Sequence, residues 1–221
     1  MGPARCHRSI RRQISFPGRA GQFRVRTTRP VFALRPEPST APRHLVCLDL
    51  VRSEIRVDGF DHSGLGRRIE ACRRLLMHAR GRGWDITHVH PRSASHAARP
   101  VEGLEPLPSE RLVYRTGVSA FSNRIFRQAI KASPEAELIL VGFSLSSSCL
   151  ATALTAHDWG LPVILAADAV LGGPSENPEV RETERSLRSI VAPFVRIAAA
   201  DDLIEVRRTL RLVSSAVAYE G

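Results

Sequence analysis

Two kinds of hydrophobic pattern alternate along this chain, short continuous apolar runs and longer segments whose apolar residues recur every three or four positions. His44 to Leu50 (HLVCLDL) is a run of the first kind, and such a run predicts a strand covered on both faces, with Asp49 near its carboxyl tip. Leu65 to Arg82 is of the second kind. Leu65, Ile69, Cys72, Leu75, Leu76 and Ala79 fall on one stripe against an Arg-rich face, and Gly81 and Gly83 stop the helix. Asp85 to Val89 and Arg111 to Tyr114 read as the next strands, separated by a loop rich in Pro, Ser and Ala. Ser119 to Ala132 reads as a helix with Phe121, Ile125, Phe126, Ala129 and Ile130 inward.

Glu137 to Gly142 (ELILVG) is the most obvious central strand, and the Ser-rich turn after it leads into a helix that runs to about Trp159 and is closed by Gly160. Leu161 to Ala166 is the following strand. A polar helix from about Asn177 to Ile190, a strand Phe194 to Ala198 and a helix from Asp201 complete the series. Each parallel crossover needs a helix-sized connection, so this alternation predicts a three-layer α/β/α sandwich around a mainly parallel, Rossmann-like sheet of about six strands. Ligands of such sheets bind beyond the carboxyl ends of the strands, where neighbouring crossovers diverge. Asp49, Arg115 and the turn after Gly142 all fall at such ends.

Composition divides the chain in two. Residues 1–43 hold ten arginines, one acid (Glu37) and six of the fifteen prolines, whereas residues 44–221 hold 22 basic and 21 acidic groups and are nearly neutral. Of the formal charge of +10, +9 therefore belongs to the leader. Its few apolar residues show no sustained period and cannot offset the entropy of ordering the chain, so residues 1–43 are expected to be a disordered arm and residues 44–221 one globular domain. An Arg-rich, acid-poor arm resembles a transit peptide and also an upstream extension; nucleic-acid contact through it is a further reading and ranks behind a plain tail. No apolar run approaches the length that crosses a bilayer, and no signal-peptide pattern follows the N-terminal arginines, which predicts a cytoplasmic protein with no membrane partner. Cys6, Cys47, Cys72 and Cys149 lack paired spacing, which argues against a zinc ribbon or a disulfide framework and fits a reducing compartment.

Three blocks carry a family resemblance. GFSLSSSCLATALTAHDWGLPVILAADA (Gly142 to Ala169) resembles, without gaps, the isochorismatase-like (cysteine hydrolase) superfamily pattern of a glycine, a turn, a nucleophilic cysteine, a Thr-Ala pair and a glycine before the next strand. Thr152, Ala153, Ala156, Gly160 and Asp168-Ala169 fall in register. LVCLDL resembles the strand that bears the family aspartate, and GLEPLPSERLVYRTGVSAF the segment that places a basic residue six before a Ser-Ala-Phe. The similarity spans about residues 44 to 210.

The resemblance implies a triad in which a carboxylate takes a thiol proton, a lysine supports the charge and the thiolate attacks an amide or related carbon. Asp49 matches the aspartate. Arg115 stands in the lysine position with a planar cation that stays protonated, and Ser148, not Cys149, stands in the nucleophile position. Successive helical side chains point about 100° apart, so Ser148 and Cys149 cannot both aim at Asp49. A serine there can also be a plain helix cap. The resemblance further implies oxyanion or substrate contacts around Ser144, Leu145 and Cys149 and a cis peptide near Ser144 and Leu145. The glutamine expected two residues after the aspartate is missing, with Val51 and Arg52 in its neighbourhood, so Arg52 or Arg115 would favour an acidic ligand.

His88, His90 and His96 reproduce part of the spacing by which nicotinamidase-like relatives bind a metal, but no fourth ligand is evident. A solvated histidine loop is the plainer reading, and no metal or cofactor is expected. The sequence thus points to a hydrolase of a small amide, carbamoyl or enol-ether substrate with an Asp49/Arg115/Ser148 triad, homo-oligomeric by resemblance. The alternative is an inactive relative that keeps the fold as a binding or interaction module.

Overall fold

The computed structural model describes residues 41–55, 64–92, 99–171 and 178–205. The arm of residues 1–43 lies, but for its last three residues, outside them, as does His96.

Six strands form one sheet: β1 (Arg43–Leu48), β2 (Asp85–Pro91), β3 (Arg111–Arg115), β4 (Glu137–Phe143), β5 (Val163–Leu171) and β6 (Arg196–Ala198). Their order is β3-β2-β1-β4-β5-β6, and every pairing is parallel. From β1 the chain steps outward to β2 and β3, then returns to the other side of β1 for β4. The topological switch therefore lies between β1 and β4, where an open α/β sheet splays its loops and leaves a crevice.

The helices are α1 (Arg52–Ile55), α2 (Leu65–Arg82), α3 (Arg124–Ala132), α4 (Leu150–Asp158), α5 (Pro178–Val191) and α6 (Ala200–Glu205). Two hydrophobic clusters lie on opposite faces of the sheet. Leu45 and Cys47 of β1 pack with Cys72, Leu75 and Leu76 of α2 in one, while Val46 and Leu48 pack with Phe126, Ile130 and Ala153 in the other. The near-continuous apolar runs of β1 and β4 follow from this, since every second residue serves a different layer. A fully buried leucine such as Leu75 contributes about 1.5–3 kcal/mol by leaving water.

The sequence reading differs from the structure in places. α2 has the expected bounds and ends on Gly83, whose left-handed backbone (φ 65°) lets its N–H reach the Arg80 carbonyl. The helix expected from Ser119 begins instead as a 3-10 turn, Ala120–Ser122, and α3 starts only at Arg124, with the Asn123 side chain accepting from Phe126 N–H. The later start fixes the phase by Phe126 and Ile130, and Ile125, expected inward, is 55% exposed. β5 runs five residues past Ala166 because its register with β4 shifts between Leu140 and Gly142.

Candidate active site

Asp49 follows directly on β1. Its N–H donates to Val89 O on β2 (2.8 Å), and its own carbonyl accepts from Val51 N–H (2.7 Å), which turns the chain sharply at the strand tip. The backbone there is left-handed, φ 52°, a conformation that Asp tolerates better than most residues. The carboxylate is turned inward and buried.

Arg115 ends β3, at the edge of the sheet, and its guanidinium reaches Asp49. Nε donates to both carboxylate oxygens (3.0 and 3.1 Å) and Nη2 to Oδ2 (2.9 Å), while Nη1 is tied to Gly117 O (2.9 Å). A fork of this kind sets orientation as well as charge. The loop behind it is built by Ser122, whose Oγ accepts from the N–H groups of Thr116 and Gly117. Buried Thr152 of α4 fastens the same loop by accepting from Ala120 N–H (3.0 Å). The Thr-Ala pair and the Ser-Ala-Phe thus meet in space, which gives a physical reason for their co-occurrence.

Gly142 brings the third strand end in. Its φ is 121°, and a Cβ there would stand 1.9 Å from Leu48 O, so only glycine lets β4 approach β1 this closely beside Asp49. The Phe143–Ser144 peptide is cis, one bond earlier than the expected position near Ser144 and Leu145. Leu145–Cys149 then forms a π-helical turn, closed by Cys149 N–H on Ser144 O (3.2 Å), before α4 begins at Leu150. An α-helix was expected straight from the turn; the π turn carries one residue more per bond.

The extra residue bears on Ser148 and Cys149, both fully buried. The Ser148 hydroxyl donates to Phe143 O (2.6 Å), not to Asp49. The Cys149 thiol lies within the cluster around Phe121 and Phe126, and burial, followed by the Asp49 carboxylate, pushes it well above the usual thiol range, with Ser148 and Arg115 opposing. Ser144 Oγ faces Ser146 Oγ (2.8 Å) and accepts from Ser146 N–H (3.2 Å), and Leu145 is buried. Asp49 and Arg115 are therefore in direct contact, Cys149 is in electrostatic reach of both, and Ser148 bonds to the turn itself.

Glu54, on α1, was not singled out by the sequence. It is partly buried, and burial, then the charge of Asp49, raises its pKa, with Arg115 acting against them. Its place five residues after Asp49 is the only signal the sequence offers. Arg52, considered for an acidic ligand, is exposed, and its N–H pairs with Arg99 O (2.9 Å).

His88 and His90, read from the sequence as part of a solvated loop, are instead buried within β2, where the strand turns them into the protein. His88 Nε2 meets Glu110 Oε2 (2.9 Å), a carboxylate also held by Arg80 (2.6 and 2.9 Å) and by Leu107 N–H (2.9 Å). These donors hold the Glu110 carboxyl down at about 2 against the effect of its burial, the largest single influence on it. His90 is buried with Nε2 unpartnered, and its ring stands edge-on to Tyr114. Among the described residues no three His, Cys, Asp or Glu side chains are grouped as a metal would require. No helix among them is long and apolar enough to cross a membrane.

Comparison with solved structures finds the same fold repeatedly. An isochorismatase from Pseudomonas putida KT2440 is 21% identical, with a TM-score of 0.66 over 75% of this chain and 93% of that one. A cysteine hydrolase from Pseudomonas syringae pv. phaseolicola 1448A is 15% identical, with a TM-score of 0.67 over 79% and 96%. A ribonuclease from Caenorhabditis elegans is 17% identical, with a TM-score of 0.62 over 77% and 83%. No curated protein sequence matches the chain. The family model of the isochorismatase domain matches residues 43–202, which takes in all six strands and every residue of the site above, and the chain belongs to that family.

Proposed function

We propose that the protein hydrolyses a small amide, carbamoyl or enol-ether substrate, with Asp49 as acid/base, Arg115 as its charge partner and Ser148 in the nucleophile position. The observation that carries this reading is the three-contact grip of Arg115 on a buried Asp49 beside the N-terminal turn of a helix. Free N–H groups at such a turn favour an oxyanion developing on the substrate. For an amide, Asp49 would take the Ser148 hydroxyl proton as Oγ bonds to the carbonyl carbon. The leaving amine would depart with a proton, and water would then release the acyl group from the serine. Because Arg115 engages both oxygens of Asp49, base action requires the substrate to displace one of those N–H donors. The reading carries with it a homo-oligomer, a cytoplasmic setting and a basic arm of residues 1–43 that stands apart from the reaction.

A second reading has its own observation. Ser148 spends its proton on Phe143 O, while the Cys149 thiol senses both Asp49 and Arg115, so Cys149 is the rival nucleophile. A panel of amides, carbamoyl compounds and isochorismate, assayed with wild type, Asp49→Asn, Ser148→Ala and Cys149→Ala, separates the two. With folding checked by circular dichroism, Asp49→Asn and Ser148→Ala are each expected to lose roughly a hundredfold or more in rate, with Cys149→Ala near wild type. The reverse order for the last two assigns the nucleophile to Cys149. Equal rates in wild type and Asp49→Asn would end the catalytic reading and leave a binding module.

A further inference from the structure

Nine large apolar side chains are exposed among the described residues, and five of them, Leu107, Leu112, Tyr114, Val118 and Ile125, belong to β3 or to the segments that adjoin its two ends. β3 is an edge strand. Its Val113 turns into the layer that holds Phe126 and Ile130, so Leu112 and Tyr114 stand on the opposite face, where they are 41% and 46% exposed. Hydrogen bonds fix the neighbouring segments to the strand. Glu110 N–H donates to Leu107 O (2.9 Å) at its amino end, and Asn123 Nδ2 donates to Tyr114 O (2.8 Å), which ties the start of α3 to its carboxyl end. We propose that this rim is the surface on which a second copy of the chain docks, about a two-fold axis that passes near Leu112 and Val113.

The distribution of charge identifies the partner as the same chain. Exposed Asp85 and Glu105 lie towards the amino end of the rim and exposed Arg92 and Arg124 towards its carboxyl end, and none of the four is in an ion pair among the described residues. The cations at the amino end are already engaged, Arg80 by Glu110 and Arg111 by Thr87. A two-fold contact sets a surface against itself reversed, so a rim with free acids at one end and free cations at the other attracts its own copy. The strand register locates the axis. His88 is level with Leu112 and Val89 with Val113, and this level is midway between Asp85, the first residue of β2, and Arg92, which follows its last. An axis there sets Asp85 level with the partner's Arg92 and gathers Leu112 and Tyr114 at the centre, giving the apolar middle and charged margin of an interface. Because Asn123 already occupies Tyr114 O, the copies meet through side chains and not by joining their sheets.

This assigns a surface to the homo-oligomer that the proposed function carries, and it rests on that reading only for the expectation of an oligomer. Its test reads association, whereas hydrolysis is read from rates, so either can fail alone.

Sedimentation velocity of the full chain over a concentration series tests the surface. A dimer is expected. Leu112→Glu and Tyr114→Glu, at exposed positions where the fold is retained by circular dichroism, should each raise its dissociation constant roughly tenfold or more. Asp85→Arg should weaken the dimer, and adding Arg92→Asp should restore it, because a two-fold contact sets the two reversed charges against each other again. A chain that stays monomeric at its highest soluble concentration, as it would if its own terminal segments or an unlike protein covered the rim, overturns the proposal. So does a dimer that both glutamate variants leave intact, as one held by the Arg-rich arm would be, and so does a double variant weaker than Asp85→Arg alone.

Discussion

Arg115 and Asp49 stand 66 positions apart in sequence and two strands apart in the sheet, yet the guanidinium makes three contacts of 2.9–3.1 Å with the carboxylate. The acid is buried and the arginine side chain only 18% exposed. The pair is therefore shielded from the screening that makes surface ion pairs nearly worthless.

Removing the cation leaves an uncompensated carboxylate. Arg115→Ala should cost about 3 kcal/mol in urea denaturation. Arg115→Lys should recover only part of that loss, because a point charge replaces the planar fork. Equal stability of wild type and Arg115→Ala would show that the contact carries no net energy.

The backbone at Asp49 separates isosteric from bulky replacements. Asn also tolerates φ near +52°, whereas a β-branched residue at that angle adds about 1–2 kcal/mol of strain. Asp49→Val should thus unfold at lower denaturant than Asp49→Asn by that margin beyond their shared loss of the ion pair.

Gly142→Ala should be among the most damaging single-methyl changes in the chain. The new Cβ meets backbone atoms of Leu48, at 1.9 Å for the carbonyl oxygen, which cannot swing aside as a side chain would. A loss of more than about 4 kcal/mol is expected, seen as insoluble expression or a collapsed melting transition, while Gly66→Ala, in open space, should be nearly silent.

Acid should destabilise the fold through two buried histidines. Burial lowers His44 and His90 to about 4 from about 6.5, so between those values the unfolded chain binds protons that the folded one refuses. Stability is then full above about pH 6.5 and falls as the pH drops towards 4, by up to about 1.4 kcal/mol per pH unit for each histidine. Urea midpoints of wild type and His90→Gln between pH 4 and 7 check this. The variant should show the shallower slope.

How much of this was legible in the sequence varied with the range of the interactions. The strands around Leu45 and Ile139 and the helix from Leu65 were plain, because the strands are unbroken apolar runs buried on both faces and the burial of the helix repeats every three to four residues. The π turn was not, because Leu145 to Cys149 have no periodicity of their own and their path is set by the approach of Gly142 to Leu48. The register of Thr152 and Gly160 placed Ser148 in the nucleophile position, but the hydrogen bond that turns its hydroxyl to Phe143 depends on that turn. Glu54 escaped notice for a like reason, since only the bend at Asp49 returns α1 to the carboxylate.

A sheet's outermost strand is the first to loosen, since it has a neighbour on one side only, and here that strand bears the cation that anchors the acid. The hold on the Asp49 carboxylate is consequently coupled to fraying at the rim of the protein, far from the rigid centre to which the acid itself is fixed. Amide exchange along Arg111–Arg115 would report on how firmly the carboxylate is held.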